Sequence, residues 1–288
     1  MRPMTASPIP EDVSFPKLVS KKLDGVRALI KEGKVLSRTL TPIPNHIVQQ
    51  LFGIPELEGL DGELIVGDPY GEDVFNRTMS GVMSQEGQPD VYFYAFDYHN
   101  MPGVPFYERN AAVEYVCAGR VVYCAHEEVR TKEALSALHE QAVAQGYEGL
   151  MLRDPNGPYK FGKSTVKEQY LLKMKSFQDS EAQIIDTEPL FVNNNPIELS
   201  RLGLSKRATC QSNKVATNMV GAIWVQDIYS GVKFKIGSGF SQEDRLDQNE
   251  WIGKIVKYKY QCLTPRGKPR HAVFIGFRDP IDIRGDYE

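Results

Sequence analysis

The chain has 288 residues, 41% hydrophobic and 25% charged, with a formal net charge of −3, a composition that excludes a disordered tail and a fibre. Its length predicts two domains, because single cores seldom grow beyond roughly 250–300 residues before the chain divides. The mildly acidic total, taken over the whole chain, argues against a polyanionic partner.

Residues 17–30 read as two strands on either side of Asp24-Gly25, and Gly33 then permits a tight turn into Val35-Leu36. This places Lys22 at a strand end. Residues 63–66 and 91–96 are further strands; the second presents Val91, Phe93 and Ala95 on one face and Tyr92, Tyr94 and Phe96 on the other, both apolar enough to be buried. A helix is predicted around 109–117 and a clearer one over 132–145. The latter has Thr131 as N-cap, an apolar stripe of Ala134, Leu135, Leu138, Ala142 and Val143, and Gly146 as its stop.

Beyond Ser176 the pattern changes to short strands at 182–187, 220–227, 232–236, 254–260 and 272–277, with one helix after Ser241, which predicts a small β-barrel. Between the first two strands lies a polar segment, 193–218, longer than loops in compact domains usually are without a functional reason. It carries Arg201, Lys206, Arg207 and Lys214 against a single acid, Glu198. The four cysteines, Cys117, Cys124, Cys210 and Cys262, form no C-x-x-C pair and predict reduced thiols. No stretch of roughly 18 uninterrupted apolar residues occurs, and the N-terminus lacks the apolar run of a secretory signal. A cytoplasmic protein with no membrane partner is therefore expected.

The first chemical constellation is Lys22-Leu23-Asp24-Gly25-Val26-Arg27. Lysine is a nucleophile only when neutral, and an unperturbed amine costs about 4.6 kcal/mol to deprotonate at pH 7. A metal ion or neighbouring lysines would lower that cost by disfavouring a further positive charge. Alone, the hexapeptide is equally a hairpin with solvated charges. Downstream, in order, stand Asp61-Gly62-Glu63-Leu64, Phe96-Asp97, Glu148-Gly149-Leu150-Met151-Leu152-Arg153 and Leu171-Leu172-Lys173-Met174-Lys175. Singly, these too have plain readings as a turn, a core aromatic, a surface acid and a solvated strand edge.

As an ordered set they resemble the covalent nucleotidyltransferase superfamily and, within it, the small ATP-dependent DNA ligases of the bacteriophage type. The resemblance implies an α+β chain. An adenylation (nucleotidyltransferase, ATP-grasp-like) domain of antiparallel sheets with flanking helices would occupy 1–177, and an all-β OB-fold domain 178–288. It implies that Lys22 attacks the α-phosphorus of ATP to give a lysyl-AMP, with Asp24 assisting and with Ser20 and Lys21 beside it in the nucleotide site. Arg27 would lie near the nucleotide sugar and the nick phosphate, and Arg38 would hold the nick 5′-phosphate. Glu63 would bind the ribose and Phe96 would stack on adenine. Glu148 would bind Mg2+ or Mn2+, helped through water by Asp24 and Asp97.

Lys173 and Lys175 alternate along a strand and so share a face; the resemblance points them at the α-phosphate, where they would neutralise developing charge. Residues 268–279 resemble the end motif of small ligases, whose basic residues, here Arg270 or Arg278, orient pyrophosphate. Regional charge revises the first inference: residues 201–278 hold 14 Lys and Arg against 5 Asp and Glu, where a duplex backbone would need cations. The expected partner is nicked duplex DNA, touched by Arg201, Lys206, Arg207 and Lys214, and a monomer suffices. The alternatives are an RNA ligase, an mRNA-capping guanylyltransferase, which usually carries Asp-Gly where this chain has Glu148-Gly149, or a relative that binds nucleic acid without catalysis.

Overall fold

The structure, a computed structural model, describes residues 2–71, 73–246, 251–264 and 266–278. Asp279, at the end of the 268–279 motif, lies outside them, as does the rest of the 178–288 range beyond it. The chain divides into two compact units, Met1–Ser176 and Phe177–Glu288.

The first unit contains β1 (Ser7–Pro8), β2 (Lys17–Lys21), β3 (Val26–Lys31), β4 (Lys34–Ser37), α1 (His46–Phe52), β5 (Leu60–Val66), α2 (Val74–Met83), β6 (Val91–Tyr98), α3 (Phe106–Val116), β7 (Val121–Tyr123), β8 (Glu127–Val129), α4 (Lys132–Ala144), β9 (Gly149–Arg153) and β10 (Leu171–Lys175). They form two five-stranded sheets, ordered β1-β10-β9-β2-β8 and β4-β3-β5-β6-β7. Pairing is antiparallel except for β1 with β10 and β6 with β7. β2 and β3 thus belong to different sheets. The 22–25 segment is a crossover between sheets, not the turn of a hairpin, and Gly25 is required by close approach: a Cβ there would lie 2.2 Å from the Leu64 carbonyl oxygen.

Period-two patterning is realised in β6, where Val91, Phe93 and Ala95 are buried in a core with Phe52 and Val82. Tyr92, Tyr94 and Phe96 are only half-buried on the opposite face. Helix α4 starts at its Thr131 cap, whose Oγ1 accepts from Ala134 N at 3.2 Å, and stops before Gly146 at φ 85°. Its buried stripe is narrower than predicted: Leu135 and Ala142 are buried, whereas Ala134 and Val143 are exposed. Helices α1 and α2 were not legible from periodicity. Asn45 caps α1 by accepting from Val48 N at 3.0 Å.

The second unit is all β among its described residues, apart from single turns: β11 (Gln178–Asn193), β12 (Ile197–Leu199), β13 (Ser205–Arg207), β14 (Lys214–Asp227), β15 (Lys233–Ile236), β16 (Ile255–Tyr260), β17 (Cys262–Leu263), β18 (Pro269–Arg270) and β19 (Val273–Arg278). Five strands form an antiparallel sheet ordered β15-β14-β11-β16-β19. Phe274 N, on the last strand, donates to Ser238 O, just beyond the first, at 2.9 Å. The sheet therefore curls around a core that includes Ile184, Val225, Phe234, Trp251 and Tyr258.

Two expectations change here. Of the helix expected after Ser241, the described residues show one 3-10 turn, Asp244–Leu246, and 247–250 lie outside them. The 193–218 loop is a structured ribbon: β11 and β14 stay paired out to Asn193 and Lys214, and β12 pairs with β13 toward its end. The apolar alternation that marks a strand stops near Thr187 because the ribbon beyond has no core to bury. Among the described residues no helix is long and apolar enough to cross a membrane.

Candidate active site

Lys22 follows β2 directly, and its backbone N–H donates to Gly149 O at 2.8 Å. Gly149 has φ 145°, and a Cβ on it would lie 2.1 Å from Met174 O. Only glycine lets β9 lie this close to β10. The close approach brings Glu148, one residue earlier, between two lysines: its carboxylate pairs with both Lys22 Nζ and Lys175 Nζ. Burial pushes the Glu148 carboxyl up, but the two ammonium groups outweigh it and hold the carboxyl below its ordinary range. Lys173 lies two residues before Lys175 on β10. Burial lowers its pKa, and the positive charges of Lys175 and Lys22 lower it further.

Beside this cluster opens a cavity of about 280 Å³, lined by Thr5, Ala6, Ser20, Lys21, Lys22, Arg27, Arg38, Glu63, Phe96, Met151, Arg153 and Lys173, among others. The crossover supplies the nucleophile candidate, β3 and the end of β4 supply Arg27 and Arg38, β5 supplies Glu63, and β6 supplies Phe96. Burial raises the Glu63 carboxyl to about 7, against the opposing pull of Lys22 and Arg27. Asp24 is half-buried on the crossover, two residues past Lys22. Lys21 lines the wall, but its Nζ donates to Gln145 Oε1 at 2.6 Å and lies 4.7 Å from the centre of the Tyr147 ring.

Asp97 does not stand with Glu148. It is fully buried, and its carboxylate accepts from Arg109 Nε at 2.7 Å, from Arg153 NH1 at 2.5 Å and from Tyr98 N at 2.8 Å. An acid committed to two guanidinium groups is built as an anchor for them, where the sequence reading expected a metal-assisting role.

Asp61, Arg153 and Tyr159 were missed. Asp61, buried on β5, accepts from Arg27 Nε at 2.9 Å and from Tyr159 Oη at 2.7 Å. The signals were an acid opening an apolar run and an arginine closing one, since a buried charge needs a partner. The partners themselves are far apart in sequence.

In the second unit, Arg201, Lys206 and Arg207 are exposed on the ribbon and Lys214 is half-buried at its base. Arg207 NH1 donates to Asn195 O, and Lys206 stands opposite Glu198. Arg270 lies in β18. Arg278, only partly buried, pairs with Glu181, Nε to Oε1 3.0 Å, a contact that must open before it could meet a phosphate. Among the described residues no cluster of three or more His, Cys, Asp or Glu side chains is placed to hold a metal.

Residues 5–175 match the family model of the ATP dependent DNA ligase domain, and 213–278 match that of the DNA ligase OB-like domain. A DNA ligase of Haemophilus influenzae is 27% identical over 264 residues, covering 89% of this chain and 85% of that protein. A DNA ligase of African swine fever virus, Kenya isolate, is 23% identical and covers 95% of this chain and 66% of its own length. Among solved structures, a Lig E DNA ligase superposes with a TM-score of 0.75 at 25% identity, covering 96% of this chain and 100% of that one. The Chlorella virus DNA ligase-adenylate superposes at 0.55 with 32% identity, covering 96% and 99%.

Proposed function

The chain belongs to the ATP-dependent DNA ligase family, and from that premise we propose that it seals 5′-phosphate/3′-hydroxyl nicks in duplex DNA, with Lys22 as the residue that carries AMP. The observation that carries this reading is the convergence of Lys22, Glu63, Phe96, Arg27, Arg38 and Lys173 on one cavity, with Glu148 pairing Lys22 to one side and Lys175 to the other. In the first step the neutral Lys22 amine forms an Nζ–P bond at the α-phosphorus of ATP while the bond to the β-phosphate oxygen breaks and pyrophosphate leaves. The nick 5′-phosphate then displaces Lys22 from AMP, and the 3′-hydroxyl finally displaces AMP. Each step is an in-line displacement at phosphorus, so positioning and charge neutralisation carry the catalysis.

Arg38, exposed at the cavity rim, and Arg27 are placed for the phosphates. Lys173 and Lys175 supply fixed positive charge to the transferring group. Glu63 accepts from ribose hydroxyls, and Phe96 offers its ring to adenine. Lys21 contributes to the wall with its stem, since its ammonium is already engaged.

The donor set fits a magnesium or manganese ion held mostly by the nucleotide's own phosphates. Glu148 and Asp24 are the carboxylates at hand, and such ions often take only one or two from the protein. The ion would neutralise phosphate charge. Glu148 cannot hold a metal and both lysines at full strength. Turned away from Lys22, it would release that amine toward the α-phosphorus.

We assign DNA contact in the second unit to Arg201, Lys206, Arg207 and Lys214, with Arg270 at the pyrophosphate. A monomer suffices for this chemistry. The test is incubation with labelled ATP and metal, followed by addition of a nicked duplex. Wild-type protein should acquire one AMP and seal the nick, and Lys22→Ala should do neither. An AMP adduct on Lys22→Ala would overturn the assignment, and sealing of nicked RNA in preference to DNA would overturn the substrate.

A further inference from the structure

The wall of the cavity behind Phe96 is built from buried charge. Asp61 and Asp97 stand opposite each other on β5 and β6, and both are 0% exposed. Each holds a guanidinium that lies over the Phe96 ring: Arg27, bound to Asp61, 5.8 Å from the ring centre, and Arg153, bound to Asp97, 5.4 Å from it. The two differ in what else they can do. Arg27 also donates to Met4 O and is the one assigned above to the phosphates.

Arg153, 4% exposed, lies over both Phe96 and Phe106, 4.7 Å from the centre of the latter ring. Its anion is held in turn: Arg109 grips Asp97 through Nε and NH2, and its NH1 donates to the carbonyls of Val104 and Gly157. An unbroken series of charge-assisted hydrogen bonds therefore runs from loop backbone through Arg109 and Asp97 to Arg153, ending on the Phe96 ring as a cation–π contact.

A half-buried ring on a cavity wall has room to turn, and a turned ring offers its edge where a purine needs its face. We propose that Arg153 is a positioning residue: gripped by Asp97, it fixes the Phe96 ring in the orientation that stacks a purine base, and so sets the affinity for ATP in the first step. The proposal rests on reading this cavity as the nucleotide site. It places the energetic effect in ground-state nucleotide binding, because Arg153 acts through the Phe96 ring, which the proposed function sets against the base and not the reacting phosphorus.

The experiment is a double-mutant cycle on the full chain, using Arg153→Met, Arg153→Lys, Phe96→Leu and the two double variants. Single-turnover AMP transfer from labelled ATP gives the half-saturating ATP concentration and the maximal rate. Thermal unfolding of each variant reports folding. Arg153→Met should raise half-saturating ATP about tenfold while the maximal rate stays within about threefold, and Arg153→Lys, which retains the cation for Asp97, should recover most of the loss. In the Phe96→Leu background the same Arg153 changes should alter half-saturation by less than about twofold, since the ring they position is gone.

Equal effects of Arg153 substitution with and without Phe96 would overturn the proposal and leave Arg153 a structural residue. So would a loss confined to the maximal rate. If Arg153→Met fails to fold, Arg153→Lys, with a smaller expected effect, carries the same comparison in both backgrounds. Formation of the adduct by Lys22→Ala would instead overturn the site itself, whatever the cycle shows.

Discussion

Replacing Asp97 with Ala removes a carboxylate shared by two buried guanidinium groups, and the size of the effect follows from what remains. Arg109 would keep the carbonyls of Val104 and Gly157, whereas Arg153 would keep its contacts with the Phe96 and Phe106 rings. Both cations are almost wholly out of water. Breaking a buried ion pair by removing one partner costs about 3–5 kcal/mol, because it strands the other charge. For a unit of this size each kcal/mol lowers the midpoint by about 2–4 °C, so the transition of the first unit should fall by roughly 6–20 °C. Asp97→Asn keeps the shape and one acceptor oxygen and should lose less. Calorimetry resolves the transition, and adenylation measured against magnesium concentration provides the second readout. Wild-type stability in Asp97→Ala, together with a tenfold or larger rise in half-saturating magnesium, would refute the anchoring role and restore Asp97 as a metal-assisting group.

The Glu63 carboxyl, raised by burial to about 7, gives a pH dependence with a definite sign. Its folded pKa lies above its unfolded value, so the stability linked to the neutral form is present at low pH and is lost as pH rises from about 4.5 through about 7. Glu63→Gln should therefore raise the thermal midpoint relative to wild type at pH 8 more than at pH 5. Ribose hydroxyls donate best to the ionised form, so half-saturating ATP should climb toward tenfold per pH unit below about 7 in wild type and stay flat in Glu63→Gln; parallel profiles would exclude the ribose contact. On the ribbon, replacing Arg201, Lys206, Arg207 and Lys214 together with Gln should weaken nicked-duplex binding and flatten the slope of log affinity against log salt by up to roughly three to four. An unchanged slope would show that these side chains do not meet the phosphate backbone.

Much of the site was legible because the residues that carry chemistry sit in short local motifs with a constrained order. Asp61 to Leu64, Glu148 to Arg153 and Leu171 to Lys175 each lie within one strand or at its end, and Lys22 to Arg27 join the end of one strand to the start of the next. Strand ends place side chains predictably: the same-face alternation of Lys173 and Lys175 needs no tertiary information. Helix α4 was equally readable, since its cap and stop are local. The surroundings of Asp97 were not legible, for the converse reason. Beside Phe96 it looked like another acid at the site, and the identity of its partners, Arg109 and Arg153, depends on how β6, α3 and β9 meet.

What the sequence alone determined is the chemistry available, two units with the basic excess in the second, and the order of strands that present the reactive groups; all follow from local patterning and composition. Tertiary structure decided three things. The Lys22 segment crosses between two sheets, because Gly25 and Gly149 allow backbones to approach where a Cβ would clash. The polar stretch after Asn193 is a paired ribbon, because backbone hydrogen bonding sustains strands that have no apolar face to announce them. Whether an acid faces solvent or arginine was decided only by the packing of distant strands, since a carboxylate's role is set by the charges brought within hydrogen-bond reach.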